Sequence, residues 1–397
     1  MPGPLAGIRV VDLTAMASGP FATSLLGDQG ADVIKIEPPG TGDLIRRIGN
    51  SRKGFSAVFA NLNRSKRSVV LNLSEPRGVE ILDRLVATSD VFVQNFRPGV
   101  ANRMGIGVDR LRRLNSELIY VSISGFGEAG PDANRRVYDS VMQAYAGFAA
   151  QQADPDTREP MFVRNIVCDK STALSTAQTI TAALFARERG AGGQHLKISM
   201  LHASIAFLWP DAMQNYTWLD AASAPADGSI SRAALPAIRE TADGHVAITT
   251  IGDPEYRGLC RALGRPELQD DPRFAEAGNR TRNAGELHEI IAPLIRALTT
   301  LEVLERLGAE DVPHAPVTSL ATLHEHPQVL ANDLLLEDDH PVGGSMRAPR
   351  PVGDFETTPI ELRQHAPALG EHTDEVLAEL GISADDRKAL REQQIVA

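Results

Sequence analysis

Two neighbouring stretches decide the fold: Ile8-Arg9-Val10-Val11-Asp12-Leu13-Thr14-Ala15-Met16-Ala17-Ser18-Gly19-Pro20, and Gly30-Ala31-Asp32-Val33-Ile34-Lys35-Ile36-Glu37. Residues 8–13 form a short β-branched run, the pattern of a buried strand. Ala17-Ser18-Gly19-Pro20 turns the chain. Phe21, Leu25 and Leu26 then recur at helical spacing, and Gly30 supplies a C-terminal stop. Asp32 to Glu37 is the next strand. The result is a β-turn-α-β unit with a glycine in its first turn, the plan of a Rossmann-like layer. The turn lacks G-x-G-x-x-G, so it names no nucleotide, and a tight strand-to-helix turn accounts for Gly-Pro equally well.

Working outward, the alternation continues. Ser68–Leu73 reads as a strand, and Glu75–Ala87 as a helix with Ser74 as N-cap and Pro76 in the first turn. Asp90–Phe96 is a strand closed by Arg97-Pro98-Gly99, a short helix covers 101–104, and Leu118–Gly127 is a strand with its exit loop. Asp139–Ala150 is a helix of small and apolar residues. Ser171–Arg189 is a helix with a broad apolar face at Ala173, Leu174, Ala177, Ile180, Ala183 and Leu184, and His195–Ser199 is a strand. Strands alternating with helices predict an α/β protein with a mostly parallel sheet covered on both faces. Ligands of such sheets bind beyond the carboxyl ends of the strands, here at Ala17-Ser18-Gly19, Asn95-Phe96-Arg97 and Ser124-Gly125-Phe126-Gly127. Residues 38–67 read as a long, mostly irregular excursion. It carries Arg46, Arg47, Arg52, Lys53, Arg64, Lys66 and Arg67, either a solvated face or an anion site.

The texture changes near Ala221. Residues 221–237 read as a linker, 240–248 as a hairpin around Asp243-Gly244, and helices follow, broken at Asp271-Pro272 and Val312-Pro313. Residues 331–355 look like strands and turns, and His372–Leu380 and Ala384–Gln393 like polar helices, the first capped by Thr373. The expected organisation is a large Rossmann-like domain over 1–220, completed by 331–397, and a smaller α+β domain over 225–330.

With 40 Lys+Arg against 51 Asp+Glu the net charge is -11, which argues against general nucleic-acid binding but leaves room for a local basic pocket. Two cysteines, Cys168 and Cys260, make neither a disulfide framework nor a zinc site. No apolar run reaches the roughly 18 residues of a membrane span, and the N-terminus lacks a signal-peptide pattern. A soluble cytoplasmic protein without metal or tightly bound cofactor is the expectation.

The stretch Asn165-Ile166-Val167-Cys168-Asp169-Lys170-Ser171-Thr172 carries the one acid at the mouth of the long small-residue helix. Asp169 has two available jobs there: an N-cap, or chemistry. Cys168, in an apolar setting, reads as a small buried hydrophobe rather than a nucleophile.

The ordered motifs resemble those of the family III CoA-transferases, the group that includes formyl-CoA transferase and the crotonobetainyl/carnitine CoA-transferases. They are Asp12-Leu13-Thr14 with Gly19-Pro20; Gly30 to Pro38; Asn63-Arg64-Ser65-Lys66-Arg67-Ser68 leading to Leu71; Asn95-Phe96-Arg97-Pro98-Gly99; Arg103-Met104-Gly105; Leu118 to Gly127; Gly193-Gln194; and Leu369-Gly370-Glu371-His372-Thr373. The resemblance covers nearly the whole chain and is weakest over 200–235 and 256–330. It implies an interlocked, ring-shaped homodimer with CoA at the subunit interface, acyl-CoA and a carboxylic acid as substrates, and Asp169 as the catalytic nucleophile. It places Met16, Ala17 and Ser18 against CoA, Leu71 on the adenine side, Asn95, Phe96, Arg103 and Met104 along the CoA, and Arg136 near its phosphates, with Tyr138 also at the site. Two departures stand out. Pro38 replaces a basic residue that some members carry, and residues 231–235 lack the glycine run that closes over intermediates in formyl-CoA transferase.

An α-methylacyl-CoA racemase shares the fold and ligand but uses a histidine and an aspartate as bases. Its Gly-His-Asp triplet aligns with Val137-Tyr138-Asp139, and tyrosine is a poor base near neutral pH. A dinucleotide-dependent oxidoreductase and a non-catalytic CoA-binding protein are the remaining alternatives.

Overall fold

The computed structural model describes residues 3–154, 157–219, 237–362 and 364–397. The expected linker at 221–237 lies almost wholly outside these residues, and the glycine-free stretch 231–235 lies wholly outside them. The chain divides into two compact units, Met1–Met213 with Asp333–Ala397, and Gln214–Asn332.

The first unit begins with β1 (Arg9–Asp12), α1 (Ser18–Asp28) and β2 (Asp32–Glu37). A two-residue hairpin pair, β3 (Ser51–Arg52) and β4 (Phe55–Ser56), leads into α2 (Ala57–Asn63) and β5 (Lys66–Val70). Then come α3 (Pro76–Ala87), β6 (Val91–Gln94), α4 (Val100–Arg103), α5 (Val108–Leu114) and β7 (Ile119–Ser124). Three helices, α6 (Asp139–Ala146), α7 (Phe148–Gln151) and α8 (Val167–Ala186), precede β8 (His195–Ser199) and α9 (Met200–Ala212).

The six long strands form one parallel sheet in the order β5-β2-β1-β6-β7-β8. Along the chain these are the third, second, first, fourth, fifth and sixth strands of the sheet. The order therefore reverses between β1 and β6, and a crevice opens beyond the carboxyl ends of strands at such a point. Alternate side chains divide between two cores, as a two-residue period requires. Val11, Ile34, Val69, Phe92 and Tyr120 pack against α3 and the C-terminal residues Val376, Leu377 and Val396. Val10, Val33, Val91, Val93, Ile119 and Val121 pack against α1 and against Ala177, Ile180, Ala183 and Leu184 of α8.

The second unit holds a three-stranded antiparallel sheet, β9 (Ala237–Glu240), β10 (His245–Ile248) and β11 (His314–Pro316). Its helices are α10 (Asp253–Ala262), α11 (Ala277–Arg282), α12 (Ala284–Arg296), α13 (Thr300–Ala309) and α14 (Pro327–Ala331). The chain returns to the first unit through the hairpin β12 (Leu335–His340) and β13 (Gly344–Pro349), then α15 (Thr373–Glu379) and α16 (Ala384–Glu392).

Several local expectations are corrected. Residues 38–67 are not mainly irregular, because α2 lies inside them with Ser56 as its N-cap. Their cations serve structure more than an anion site. Arg46 pairs with Glu37, Arg64 with Asp28, Lys66 with Asp12, and Arg67 with Asp32, Glu375 and Glu379. Ser74 is not the cap of α3: Asn72 takes the Ser74 N–H at 3.1 Å, and Glu75 occupies the cap position. Thr373 is not a cap either, since its hydroxyl accepts the Val70 N–H at 3.1 Å and His372 precedes the helix. The helix expected over 139–150 breaks at Gly147, whose φ of 99° only glycine adopts readily.

Candidate active site

The crevice is built from β1 outward. Asp12, at the end of β1, is fully buried and accepts from Lys66 Nζ at 2.9 Å, the Thr23 hydroxyl at 2.7 Å and the Thr14 hydroxyl at 2.5 Å. The Lys66 ammonium and these hydroxyls hold the Asp12 carboxyl far below the usual carboxylate range, against the opposing effect of burial. A second buried cation, Lys35, donates to the Thr14 carbonyl at 2.8 Å and to Asp43 at 2.9 Å. Asp43 in turn accepts the Met16 N–H at 3.0 Å. Asn95, just past β6, accepts the Ala15 N–H at 3.0 Å and donates to the Ala15 carbonyl at 2.8 Å. The turn after β1 is thus clamped from both sides of the reversal point, with Met16 held at φ 70°. Gly19 is required because a Cβ there would stand 2.4 Å from Thr14 Cβ.

That clamped turn brings Ser18, the first residue of α1, into the same cavity as Asp169, where its hydroxyl and backbone N–H favour the ionised Asp169 carboxyl. Asp169 itself stands in the first turn of α8, which starts at Val167 rather than at Ser171. Asp169 is therefore not the cap. Its own N–H is taken at 3.0 Å by Asp139, from the start of α6. Asp139 is buried, and its other oxygen accepts from Gln143 Nε2 at 2.6 Å. Gln143 goes on to bond the carbonyls of Val163 and Asn165 and to accept the Val163 N–H at 2.9 Å. One carboxylate thus ties the nucleophile candidate to the segment that precedes it.

Burial pushes the Asp169 carboxyl up to about 6, the Asp139 charge adds to the rise, and the two Ser18 donors oppose it. The group is ionised near neutral pH yet sparsely solvated. Cys168 is fully buried and burial pushes its thiol up to about 12, which removes it as a nucleophile.

Asp169 opens into a cavity of about 980 Å³. Met16, Ala17, Ser18, Asn95, Phe96 and Tyr138 line the same cavity, so seven of the sequence-predicted site residues, Asp169 included, meet there. Arg136 lines an adjoining pocket of about 240 Å³ that shares Asn95, Phe96, Arg97 and Tyr138. Leu71, Arg103 and Met104 line neither. Leu71 is 2% exposed and bridges to Val396, Met104 packs on the core beside α3, and Arg103 is exposed near Gly99. Gly125 also lines the cavity, and a Cβ on it would meet Val137 at 2.4 Å. The Gly127 N–H is already taken by the Ser124 hydroxyl, leaving Gly125 the better candidate to donate to an oxyanion.

The family model for CoA-transferase family III matches residues 5–373. The chain belongs to CoA-transferase family III. It is 33% identical over 379 residues to succinyl-CoA:glutarate CoA-transferase of Mus musculus, covering 95% of this chain and 86% of that one. It is 33% identical over 415 residues to formyl-CoA:oxalate CoA-transferase of Streptomyces avermitilis, covering 99% of each. A CAIB/BAIF family protein from Brucella suis superposes with a TM-score of 0.82 at 30% identity, covering 96% of this chain and all of that one. This family III member is an enzyme that transfers CoA between an acyl-CoA and a free carboxylic acid. Among its described residues no helix is long and apolar enough to cross a membrane, and no cluster of three or more His, Cys, Asp or Glu is arranged to hold a metal.

Among the polar residues of this transferase's cavity, sequence reasoning gave no role to Asp139, Gln143 or Arg164. Asp139 carried one signal, an acid opening a predicted helix, but nothing in the sequence pairs it with a position thirty residues on.

Proposed function

We propose that Asp169 is the covalent carrier of the transferred groups, with CoA held by the β1–α1 turn and the Asn95-Phe96 strand end. The observation that carries this reading is the pairing of Asp169 with Ser18. An ionised, partly desolvated carboxylate stands at the N-terminus of α1 and faces a large cavity.

In the first step a carboxylate oxygen of Asp169 attacks the thioester carbonyl. The C–S bond breaks, CoA leaves as thiolate, and a mixed anhydride remains. The thiolate then attacks the Asp169 carbonyl of that anhydride. The donor acid leaves as carboxylate, and an aspartyl-CoA thioester is formed. The acceptor carboxylate attacks this thioester, expels the thiolate and makes a second anhydride. Thiolate attack on the acceptor's acyl carbon releases the new acyl-CoA and restores Asp169. Protons and electrons balance at every step, so the cycle needs no resident cofactor. The Ser18 donors support the carboxylate as leaving group, and Gly125 is placed in the reading as an oxyanion donor.

Arg97 and Arg136, around the adjoining pocket, are assigned to the CoA phosphates. Leu71, Arg103 and Met104 retain their proposed roles toward the adenine end. The working form is proposed to be an interlocked homodimer in the cytoplasm, a reading supported by exposed Leu174, Phe185 and Phe207 on α8 and α9.

Replacing the carboxylate tests the assignment. Asp169→Ala is expected to lose exchange by at least about 10³-fold while CoA affinity changes little, read by isothermal titration beside the rate assay. Wild-type transfer by this variant rules Asp169 out.

A further inference from the structure

Met16 holds a backbone conformation that a residue with a side chain resists. Its φ of 70° lies in the left-handed region, where Cβ crowds the carbonyl oxygen that follows. Of the described non-glycine residues in this region, Met16 is the one that lines the cavity holding Asp169. Such a backbone persists only where its surroundings over-determine it, and an outlier at a site points to function. The group that holds Met16 is the Asp43 carboxylate. One of its oxygens takes the Met16 N–H at 3.0 Å and the Ile45 N–H at 3.1 Å, and the other takes Lys35 Nζ at 2.9 Å. Asp43 is 3% exposed and Lys35 is fully buried. Lys35 also donates to the Thr14 carbonyl at 2.8 Å, so the ion pair grips the turn at both Thr14 and Met16. The bond to Ile45 caps the 3-10 turn Leu44–Arg47, and Ile45 and Ile48 line the same cavity as Met16. One oxygen atom thus fixes two parts of the cavity wall, although Asp43 does not line the cavity itself.

We propose that Asp43 is a positioning residue for CoA transfer, which holds the Met16 backbone so that Ser18 is presented to the Asp169 carboxylate. The proposal rests on the assigned role of Asp169 as nucleophile, and Asp43 touches no substrate in it. Without an acceptor at residue 43 the Met16 peptide relaxes toward negative φ, and Ala17 and Ser18 turn with it. Lys35 decides which Asp43 oxygen faces the turn, because a buried ammonium claims the other.

Deleting one member of a buried ion pair strands the other, so the test removes both charges at once. Lys35→Met/Asp43→Asn keeps an acceptor oxygen for the Met16 N–H, and Lys35→Met/Asp43→Ala removes it. The Ala double variant is expected to lose about 10²-fold in kcat, as a misplaced site does, with a smaller change in KM. Its acid limb in kcat/KM should move to higher pH, because the Ser18 donors that favour the ionised Asp169 are lost. The Asn double variant should return most of kcat and bring the limb back. Coincident profiles for the two double variants overturn the proposal. So does a fall in kcat with an unmoved limb, the mark of a general loss of order. Met16→Gly supplies an arm that needs no alanine variant. Glycine takes φ 70° without being held, so Asp43→Asn, whose oxygen Lys35 claims, should cost less kcat in Met16→Gly than in the parent. Equal losses overturn the proposal. A wild-type profile with no acid limb would overturn the reading of Asp169 and the proposal with it, whereas a normal wild-type limb beside coincident double variants overturns the proposal alone.

Discussion

At the scale of the residue, the proposed role of Asp169 depends on how its carboxylate is kept reactive. A carboxylate in water is a weak nucleophile because it is well solvated. Here burial and the neighbouring Asp139 charge raise its pKa to about 6, while two Ser18 donors keep the ionised form accessible. The sign for activity follows from the proposed mechanism: if the ionised form attacks, kcat/KM should rise with pH through about 6 and stay level above it. Asp139→Asn removes the second cause of the rise and should move that acid limb to lower pH. A pH–rate profile for the two proteins measures it, and an unmoved limb would mean that the Asp139 charge does not set the titration. What the sequence made legible at this scale was the residue type and its place near a helix start. Its partner was not legible, since Asp139 reaches Asp169 only after α6 and α8 are packed. The competing expectation, that Asp169 caps α8, fails because the helix starts two residues earlier and Asp139 takes the exposed N–H.

At the scale of the element, the turn after β1 does the positioning. Strand and helix patterns made β1, α1 and β2 readable from sequence, as β-branched runs and a helical apolar spacing. The clamp was not readable, because it is made of charges that look like a solvated loop. Lys35, Lys66 and Asp43 read as surface residues by type, and all three are buried in ion pairs. Pairing them costs desolvation, so their removal one at a time is the informative perturbation. Lys66→Met leaves Asp12 buried without its cation and should destabilise the fold by about 3–5 kcal/mol. Combining it with Asp12→Leu should recover much of the loss, because no uncompensated charge remains. Urea unfolding of the three variants decides this; equal stability of Lys66→Met and the parent would show that the pair does not hold the turn.

At the scale of the whole molecule, the order of strands explains why the site lies where it does. The strand order reverses between β1 and β6, and the cavity gathers residues from the loops after β1, β6 and β7. The parallel α/β architecture was predictable from the alternation of elements, since each strand carried its own local pattern. The bridge between Leu71 and Val396 leaves no such trace, because its two residues are far apart in the chain. CoA transfer is proposed to pass through a covalent bond to Asp169. The most direct measurement is to incubate the enzyme with an acyl-CoA it uses, add hydroxylamine, and map the modified peptide by mass spectrometry. Acyl-CoA-dependent inactivation with the hydroxamate on Asp169 is expected. Full retention of activity with an unmodified Asp169, for an acyl-CoA that the enzyme turns over, would contradict it.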